Sequence, residues 1–309
     1  VVCRRQRQMC IRDRLLFLLI ISFIFSPKIQ ANSSIITQNV DLDSPEGWGM
    51  AYMTAASLNL ADSFPKELSF GELEISAEIN SIPKLNSEQQ KIGFGGLKYE
   101  DLNKSPVFGK GKIKMGFYYD SILEFSYTPS LEIKGAKPKD LYGFSLSKEL
   151  ISNENLNLGL RVFNLSGHAI ADVTCSEQVV SQPLYTPGNP SGCISTSKDK
   201  IDLGHKGLEM IIMPNYNNPK IKPWVSLAYS KIDPSVRIDA QLELTREIAL
   251  VKTNGSISTL NLGFNYALSD KWVLFLGTSY TPLDVVRPGP AGGDDNFWNF
   301  RVGLSLKGI

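Results

Sequence analysis

Residues 256–282, SISTLNLGFNYALSDKWVLFLGTSYTP, limit what this chain can become more than any other stretch. Leu260, Leu262, Phe264, Tyr266 and Leu268 alternate with Asn261, Gly263, Asn265 and Ala267. Side chains on a β-strand point alternately to opposite faces, so this is a strand with one apolar face and one polar or small face. Ser269, Asp270 and Lys271 form a tight polar turn. A second strand then runs from Trp272 through Leu274, Leu276, Thr278 and Tyr280. The same unit recurs along most of the chain, with aromatic residues near the ends of the apolar stripes. Segments of about ten residues, apolar outward and polar inward between aromatic girdles, are what a membrane-spanning β-barrel requires. The expected fold is all-β: an antiparallel up-and-down transmembrane barrel of about 10 (10–12) strands, preceded by a short N-terminal helix.

The chain opens with VVCRRQRQMCIRDR and no Met at position 1. Residues 1–14 resemble translated sequencing-adaptor read-through; the competing reading is a genuine basic leader. Cys3 and Cys10 have a C-x6-C spacing that makes a poor metal motif. Residues 15–25, LLFLLIISFIF, are uninterruptedly apolar but too short for a membrane helix, which needs about 20 such residues. With Arg12 and Arg14 before them and Ile29-Gln30-Ala31 after them, residues 15–31 read as a signal peptide cleaved after Ala31. Removing residues 1–31 takes six basic residues and one acidic residue from the 32 and 31 of the whole chain, leaving a formal charge of −4. No concentrated basic surface remains, and a nucleic-acid partner is not expected. The mean hydropathy of −0.09 is far below that of helical membrane proteins, but barrels fall in this range because only alternate residues face lipid.

Residues 32–66 form an N-terminal segment, a candidate plug or periplasmic cap, and residues 67–309 the barrel. Ser44 as N-cap, Pro45 at the first helical position and Glu46 in the first turn signal a helix start. Strands are expected over residues 68–79, 113–119, 123–133, 142–146, 156–162, 208–214 and 223–232, and in the closing FWNFRVGLSL. Residues 167–205 are a long insertion rich in Ser, Pro, Gly and Asn. Residues 233–255 are a second long loop whose VRIDAQLELTREIALV reads as a projecting hairpin, and residues 283–295 are a third. If residues 233–255 stayed in the wall, or the helix were a strand, the count would rise to about twelve. Placing both termini in the periplasm puts all the long loops outside.

The leader, the alternating strands and the closing FWNFRVGLSL resemble the outer-membrane β-barrel proteins of Gram-negative bacteria. That resemblance implies an outer-membrane location, contact with outer-membrane lipid, and the barrel-insertion machinery as a partner during biogenesis. Such barrels usually end in an aromatic residue, whereas this chain ends Lys307-Gly308-Ile309. The segment around Ser44-Pro45-Glu46-Gly47-Trp48 is loosely similar to the N-terminal plug of long-chain fatty-acid-type channels, although their Asn-Pro-Ala runs are absent.

Alternation turns Glu72, Glu74, Glu78, Glu124 and Glu209 inward, together with Arg161 and Arg301. Charges in a narrow interior must be paired or hydrated, so the arginines are expected to pair with some of the glutamates. Cys175 and Cys193 share the long insertion, and in an exported protein such a pair most often forms a disulfide. His168 and His205 flank that loop near Ser166 and Asp172. They read either as part of a rim site of a lipid enzyme or as two solvated loop histidines, and no G-x-S-x-G or H-E-x-x-H supports catalysis. Asp101, Asp294 and Asp295 lie in loops where Ca²⁺ could bind, but loop solvation explains them as well and no EF-hand spacing is present. No catalytic residue, metal or cofactor is expected. The leading function is a narrow channel or selective transporter for a small-molecule solute. The alternatives are a structural or surface-interaction barrel with a closed lumen and, third, an outer-membrane lipid-modifying enzyme.

Overall fold

The computed structural model describes residues 35–66, 68–289 and 294–308. The leader and the expected cleavage site lie outside the described residues. In chain order the elements are β1 (Ile36–Asn39), α1 (Pro45–Ser57), β2 (Leu73–Ser81), β3 (Val107–Phe117), β4 (Ser121–Thr128), β5 (Lys137–Ser152), β6 (Leu156–Ala171) and β7 (Asp199–Asp202). They continue with β8 (His205–Pro214), β9 (Ile221–Ile232), β10 (Ser235–Gln241), β11 (Arg246–Lys252), β12 (Gly255–Ala267), β13 (Trp272–Thr281) and β14 (Phe297–Lys307).

Ten of these strands close a ring in the order β2-β3-β4-β5-β6-β8-β9-β12-β13-β14, every pairing antiparallel. The seam joins the last wall strand to the first, with Val302 opposite Ile79 and Leu306 opposite Ile75. Burial follows the two-residue period: on β2, Glu74, Ser76, Glu78 and Asn80 are buried while Ile75 and Ile79 are exposed. Apolar residues outside and polar residues inside are the arrangement that a lipid-facing wall requires. Tyr280 against Trp298, at 4.4 Å between ring centroids, and Tyr127 against Tyr142, at 5.3 Å, place aromatic pairs toward the end of the barrel that carries the long loops.

At the other end the turns after β3, β5, β8 and β12 are short. At the long-loop end, β6 is extended sideways by β7, β10, β11 and β1 into a sheet that stands beyond the wall. The 233–255 segment therefore contributes a projecting hairpin and no wall strand. The Cys175–Cys193 disulfide closes the loop between β6 and β7 beside this sheet.

Three expectations are corrected. The first wall strand begins at Leu73, because residues 69–72 form a turn at the barrel rim, with Glu72 N donating to Ser69 O and Gly71 N to Gly116 O. The strand expected to begin at residue 113 starts at Val107, since its GKGKIK run alternates lysine with glycine or isoleucine. The two ends of the described residues do not share one end of the barrel: β1 pairs in parallel with β11 at the long-loop end, whereas β14 finishes at the short-turn end, with Gly308 N donating to Leu73 O.

Between those ends the chain passes through the barrel. Ser44 Oγ accepts from Gly47 N at 3.1 Å and Pro45 occupies the first helical position, so α1 starts where its capping residues dictate. Trp48, Ala51, Tyr52 and Ala55 are all buried, because the helix lies inside a wall that surrounds it. Trp48 Nε1 donates to Asp295 O at 3.0 Å and Tyr52 Oη to Pro83 O at 2.8 Å, which fastens the helix beneath the long loops. Residues 58–66 then continue down to the short-turn end, where Lys66 meets Glu149 at 3.3 Å. Gly143 of β5 faces this segment; a Cβ there would meet Asn59 Nδ2 at 2.8 Å.

Candidate functional site

The lower half of the lumen is filled by residues 58–62, whose backbone has no strand to pair with. Buried peptide groups need partners, and side chains of the wall supply them. Arg301 donates to Ala61 O at 2.8 Å and Leu60 O at 3.3 Å. Lys110 donates to Leu58 O at 2.9 Å, and Arg161 donates to Asn59 O. Asn265 donates to Asp62 O at 2.9 Å, and Glu209 accepts from Ala61 N at 2.9 Å. His205 Nε2 accepts from Asn59 N at 3.2 Å while Nδ1 lies 3.0 Å from Leu203 O, which fits the neutral ring with its proton on Nδ1.

The same side chains neutralise one another. Arg301 reaches Glu78 with Nε at 3.0 Å and Nη2 at 2.8 Å, and Lys112 lies 2.7 Å from the other Glu78 oxygen. Arg161 bridges Glu124 at 2.8 Å and Glu209 at 3.0 Å. Asp62, carried by the threaded segment itself, sits between Lys112 at 3.0 Å and Lys114, and Lys114 also reaches Glu74 at 3.2 Å. Buried ions persist when each has a counter-ion, as every one of these does.

Above this cluster lies a cavity of about 530 Å³, bounded by the C-terminal half of α1, by β2, β3, β5 and β6, and by the loop before β3. Met53, Phe108, Leu141, Ala171, Ile201 and Leu203 make most of its surface apolar. It also runs out through the wall. β4 has eight residues beside the sixteen of β5. Pairing of β3 with β4 stops at Gly111–Tyr127, so residues 107–110 are paired on the β2 side only. Pro129 follows the last residue of β4 and Pro138 lies near the start of β5, positions where proline is tolerated because one edge has no ladder. The pairing of β5 with β6 is irregular between Lys139 and Tyr142, with Asp140 at φ 54°. Gly167 stands opposite at φ 129°, and a Cβ there would meet Asp140 O at 2.0 Å. Such a bulge bends the strand locally.

The sequence-derived residues fall into two groups. Glu74, Glu78, Glu124, Glu209, Arg161 and Arg301 are buried in the ion cluster. Glu72 is outside it, half-buried at the short-turn rim, where its carboxylate accepts from Ser69 N at 2.9 Å. His205 faces the lumen while His168 pairs across the sheet with Lys139 and Asp202, so the two histidines serve different faces of the structure. Asp101 pairs with Lys104 at 2.8 Å and Asp295 with Arg287 at 2.6 Å. Sequence reasoning missed Lys110, Lys112 and Lys114, although their two-residue spacing was the available signal. It also missed Asn59 and Asp62, which no periodicity marks.

No family model matches the sequence, and no curated protein matches it. Among solved structures, the chain is similar to the translocator domain of the autotransporter NalP from Neisseria meningitidis, at 10% identity over 86% of this chain and 98% of that one, with a TM-score of 0.43. The outer membrane protease OmpT from Escherichia coli matches at 11% identity over 79% and 99%, with a TM-score of 0.37. Ail, the attachment invasion locus protein of Yersinia pestis, matches at 8% identity over 77% and 99%, with a TM-score of 0.31. The architecture rests on the wall itself: ten antiparallel strands closed into a ring, apolar outside and charged inside. The chain is an outer-membrane-type β-barrel whose lumen is occupied by its own N-terminal segment.

Proposed function

We propose that this protein is a selective transporter that takes small apolar solutes into the upper cavity through the opening beside β4. Residues 45–66 close the direct axial route. The observation that carries the reading is on β3. Val107 and Gly109 face outward and Phe108 and Lys110 inward, yet all four line one cavity. Successive residues of a strand point to opposite faces, and they border one space where that space wraps around an unpaired edge, as residues 107–110 have on the β4 side. Unpaired backbone in a barrel wall is tolerated where it is buried in protein or lines a water-filled cavity, which fits an opening that is part of the design. A volume of about 530 Å³ also lies within the range of small-molecule sites, ~300–1,000 Å³. The ion-paired cluster below argues against free diffusion of hydrophilic solutes.

The test uses Gly109, whose added Cβ would meet nothing nearer than Glu78 O at 3.7 Å, so bulk there narrows the mouth without entering the wall. Purified protein is expected to bind the neutral fluorophore N-phenyl-1-naphthylamine, with low conductance in planar bilayers. Gly109→Trp is expected to slow binding at least tenfold while leaving the barrel folded. High conductance to salts, or fluorophore binding indifferent to Gly109→Trp, sinks the reading.

A second reading, a surface-interaction barrel, is favoured by one feature: the disulfide-braced sheet of β7, β10, β11 and β1 beyond the wall. It predicts that grafting residues 172–204 and 233–254 onto another barrel transfers binding to a cell surface.

A further inference from the structure

We infer that the outer surface of β7 to β10 is a seat for a lipid whose headgroup carries several phosphates, held by Lys206, Lys231, Lys200 and Arg237. The inference goes beyond the transport reading and concerns the outside of the barrel. Lys206 of β8 stands directly opposite Lys231 of β9, and both are exposed. Lys200 of β7 stands directly opposite Arg237 of β10, and both are again exposed. Like charges that face each other across a strand pair are destabilising, and here the pattern occurs twice on one surface. Among the described residues no carboxylate forms an ion pair with any of the four. Asp202 and Asp233 lie between the two rows; Asp202 Oδ1 accepts from Gly204 N at 3.0 Å, and Asp233 is exposed. Asp239 is held by Arg246 through two bonds of 2.8 Å. Lys252, exposed opposite Ser235, adds a further cation beside them.

The surface is continuous with the lipid-facing wall, which decides what kind of anion it meets. Two residues below the lysine pair on each strand, Leu208 faces Tyr229, and both are exposed. Two residues of strand rise about 7 Å. The polar layer outside the hydrocarbon is roughly 5–8 Å deep on each side of a bilayer. Lys206 and Lys231 therefore stand at headgroup level, with their stems along the apolar surface and their ammonium groups above it. Ile201, Val236 and Ile238, the alternate residues of β7 and β10, line a small space over α1, so Lys200 and Arg237 point the other way, outward. Lys200 precedes Lys206 by six residues, up to about 20 Å of extended chain. A headgroup with one phosphate reaches the lower pair only. A large headgroup with phosphates at two depths reaches both, and each phosphate would accept charge-assisted bonds from the two cations of a row.

The experiment titrates the full chain in non-ionic detergent with three probes and reads bound ligand by native mass spectrometry. The probes are rough-type lipopolysaccharide, the same molecule stripped of its acyl chains, and phosphatidylglycerol. The intact glycolipid is expected to bind at least tenfold more tightly than either of the others. Lys206→Ser with Lys231→Ser, and separately Lys200→Ser with Arg237→Ser, should each weaken it at least about tenfold, as the loss of two basic residues near an anionic lipid predicts. Lys206→Arg with Lys231→Arg should keep it. Thermal unfolding gives an independent readout. In lipid-free detergent the serine variants are expected to melt no lower than the unaltered protein, because a repulsion is gone, and with the glycolipid added the unaltered protein melts higher than they do. Equal binding of the deacylated form makes the ligand a soluble polyanion and overturns the lipid seat. Equal binding of phosphatidylglycerol overturns the several-phosphate headgroup. Unchanged binding in both serine pairs, or no binding of any probe, overturns the seat outright, and serine variants that melt lower without lipid make the cations structural. If a serine pair lacks the heat-modifiable migration of a closed barrel, Lys231→Ser and Arg237→Ser are read singly, and a loss below twofold in both overturns the assignment.

Discussion

Arg301 ties the wall, the ion cluster and the threaded segment together, so its removal tests all three. Its guanidinium makes two charge-assisted bonds to Glu78, one to Asn261 Oδ1 at 3.1 Å, and two to the backbone of residues 60 and 61. Arg301→Met keeps an apolar stem of similar length and deletes all five. Glu78 is then left with Lys112 alone, and breaking a buried pair by removing one partner costs about 3–5 kcal/mol. That is roughly two to four orders of magnitude in the unfolding equilibrium. Urea unfolding in lipid vesicles, followed by tryptophan fluorescence, reads the loss. In the double variant Arg301→Met with Glu78→Gln the orphaned carboxylate is gone, so the combined cost is expected to fall short of the sum of the single costs by at least about 1 kcal/mol. Because two of the lost bonds hold residues 60 and 61, conductance is also expected to rise in Arg301→Met. A cost below about 1 kcal/mol, or simple additivity in the double variant, would falsify the claim that this pair is buried and interdependent. Loss of stability with unchanged conductance would instead make Arg301 scaffolding and remove the threaded segment from any gating role.

Replacing Cys175 and Cys193 by serine should destabilise the outer loop by about 3 kcal/mol through unfolded-state entropy; proteolysis is expected to cut within residues 172–204 while the barrel stays intact, and free thiols in the unaltered protein would refute the bridge. Glu100, in the loop before β3, is pushed up to about 7, chiefly by burial, with Asp199 and Glu247 adding to the rise and Lys98 at 2.9 Å opposing it. Glu46 borders the same small pocket and adds a further carboxylate. Because the folded protein favours the protonated acid, this contribution to stability is full below the ordinary glutamate range and is lost as pH rises through about 7. Protection factors in residues 82–106, which remove the base-catalysed rise of intrinsic exchange, should therefore fall from pH 5 to 8, and Glu100→Gln should flatten that fall; an unchanged slope refutes it. Export is expected to remove residues 1–31, so intact-mass measurement of the outer-membrane fraction should find a chain starting at Asn32.

The wall was legible because its signal is local. A two-residue period needs only neighbours in sequence, as in residues 260–268, and it also turned Glu74, Glu78, Arg161 and Arg301 to the correct side. Which carboxylate meets which arginine was not legible: Arg301 and Glu78 are 223 residues apart and become neighbours only when the seam closes. Lys110 and Lys112 of β3 were overlooked because Gly109 and Gly111 beside them carry no apolar side chain to mark the outer face. The extended run Leu58-Asn59-Leu60-Ala61-Asp62 has no period at all, since its partners lie on strands all around it. The opening beside β4 was written in Pro129 and Pro138, but a proline marks a missing ladder bond without saying what fills the gap.

The threaded segment also sets the order in which the barrel can be made. Residues 58–66 lead directly into β2, one of the two strands of the closing seam, while α1 and β1 are anchored at the opposite mouth. A finished ring would have to admit a helix about 10 Å across, followed by its tail, through a lumen lined with long charged side chains. Assembly is simpler if the segment lies in the nascent trough first and the wall curls around it, with β14 meeting β2 last. The ion cluster is then a mandrel on which the sheet is bent, and Asp62 and the backbone carbonyls it carries become templates for the lysines and arginines that gather there. In that order the most sequence-distant contacts, those of β14 with β2, form at the final step, and contacts so far apart in sequence slow folding.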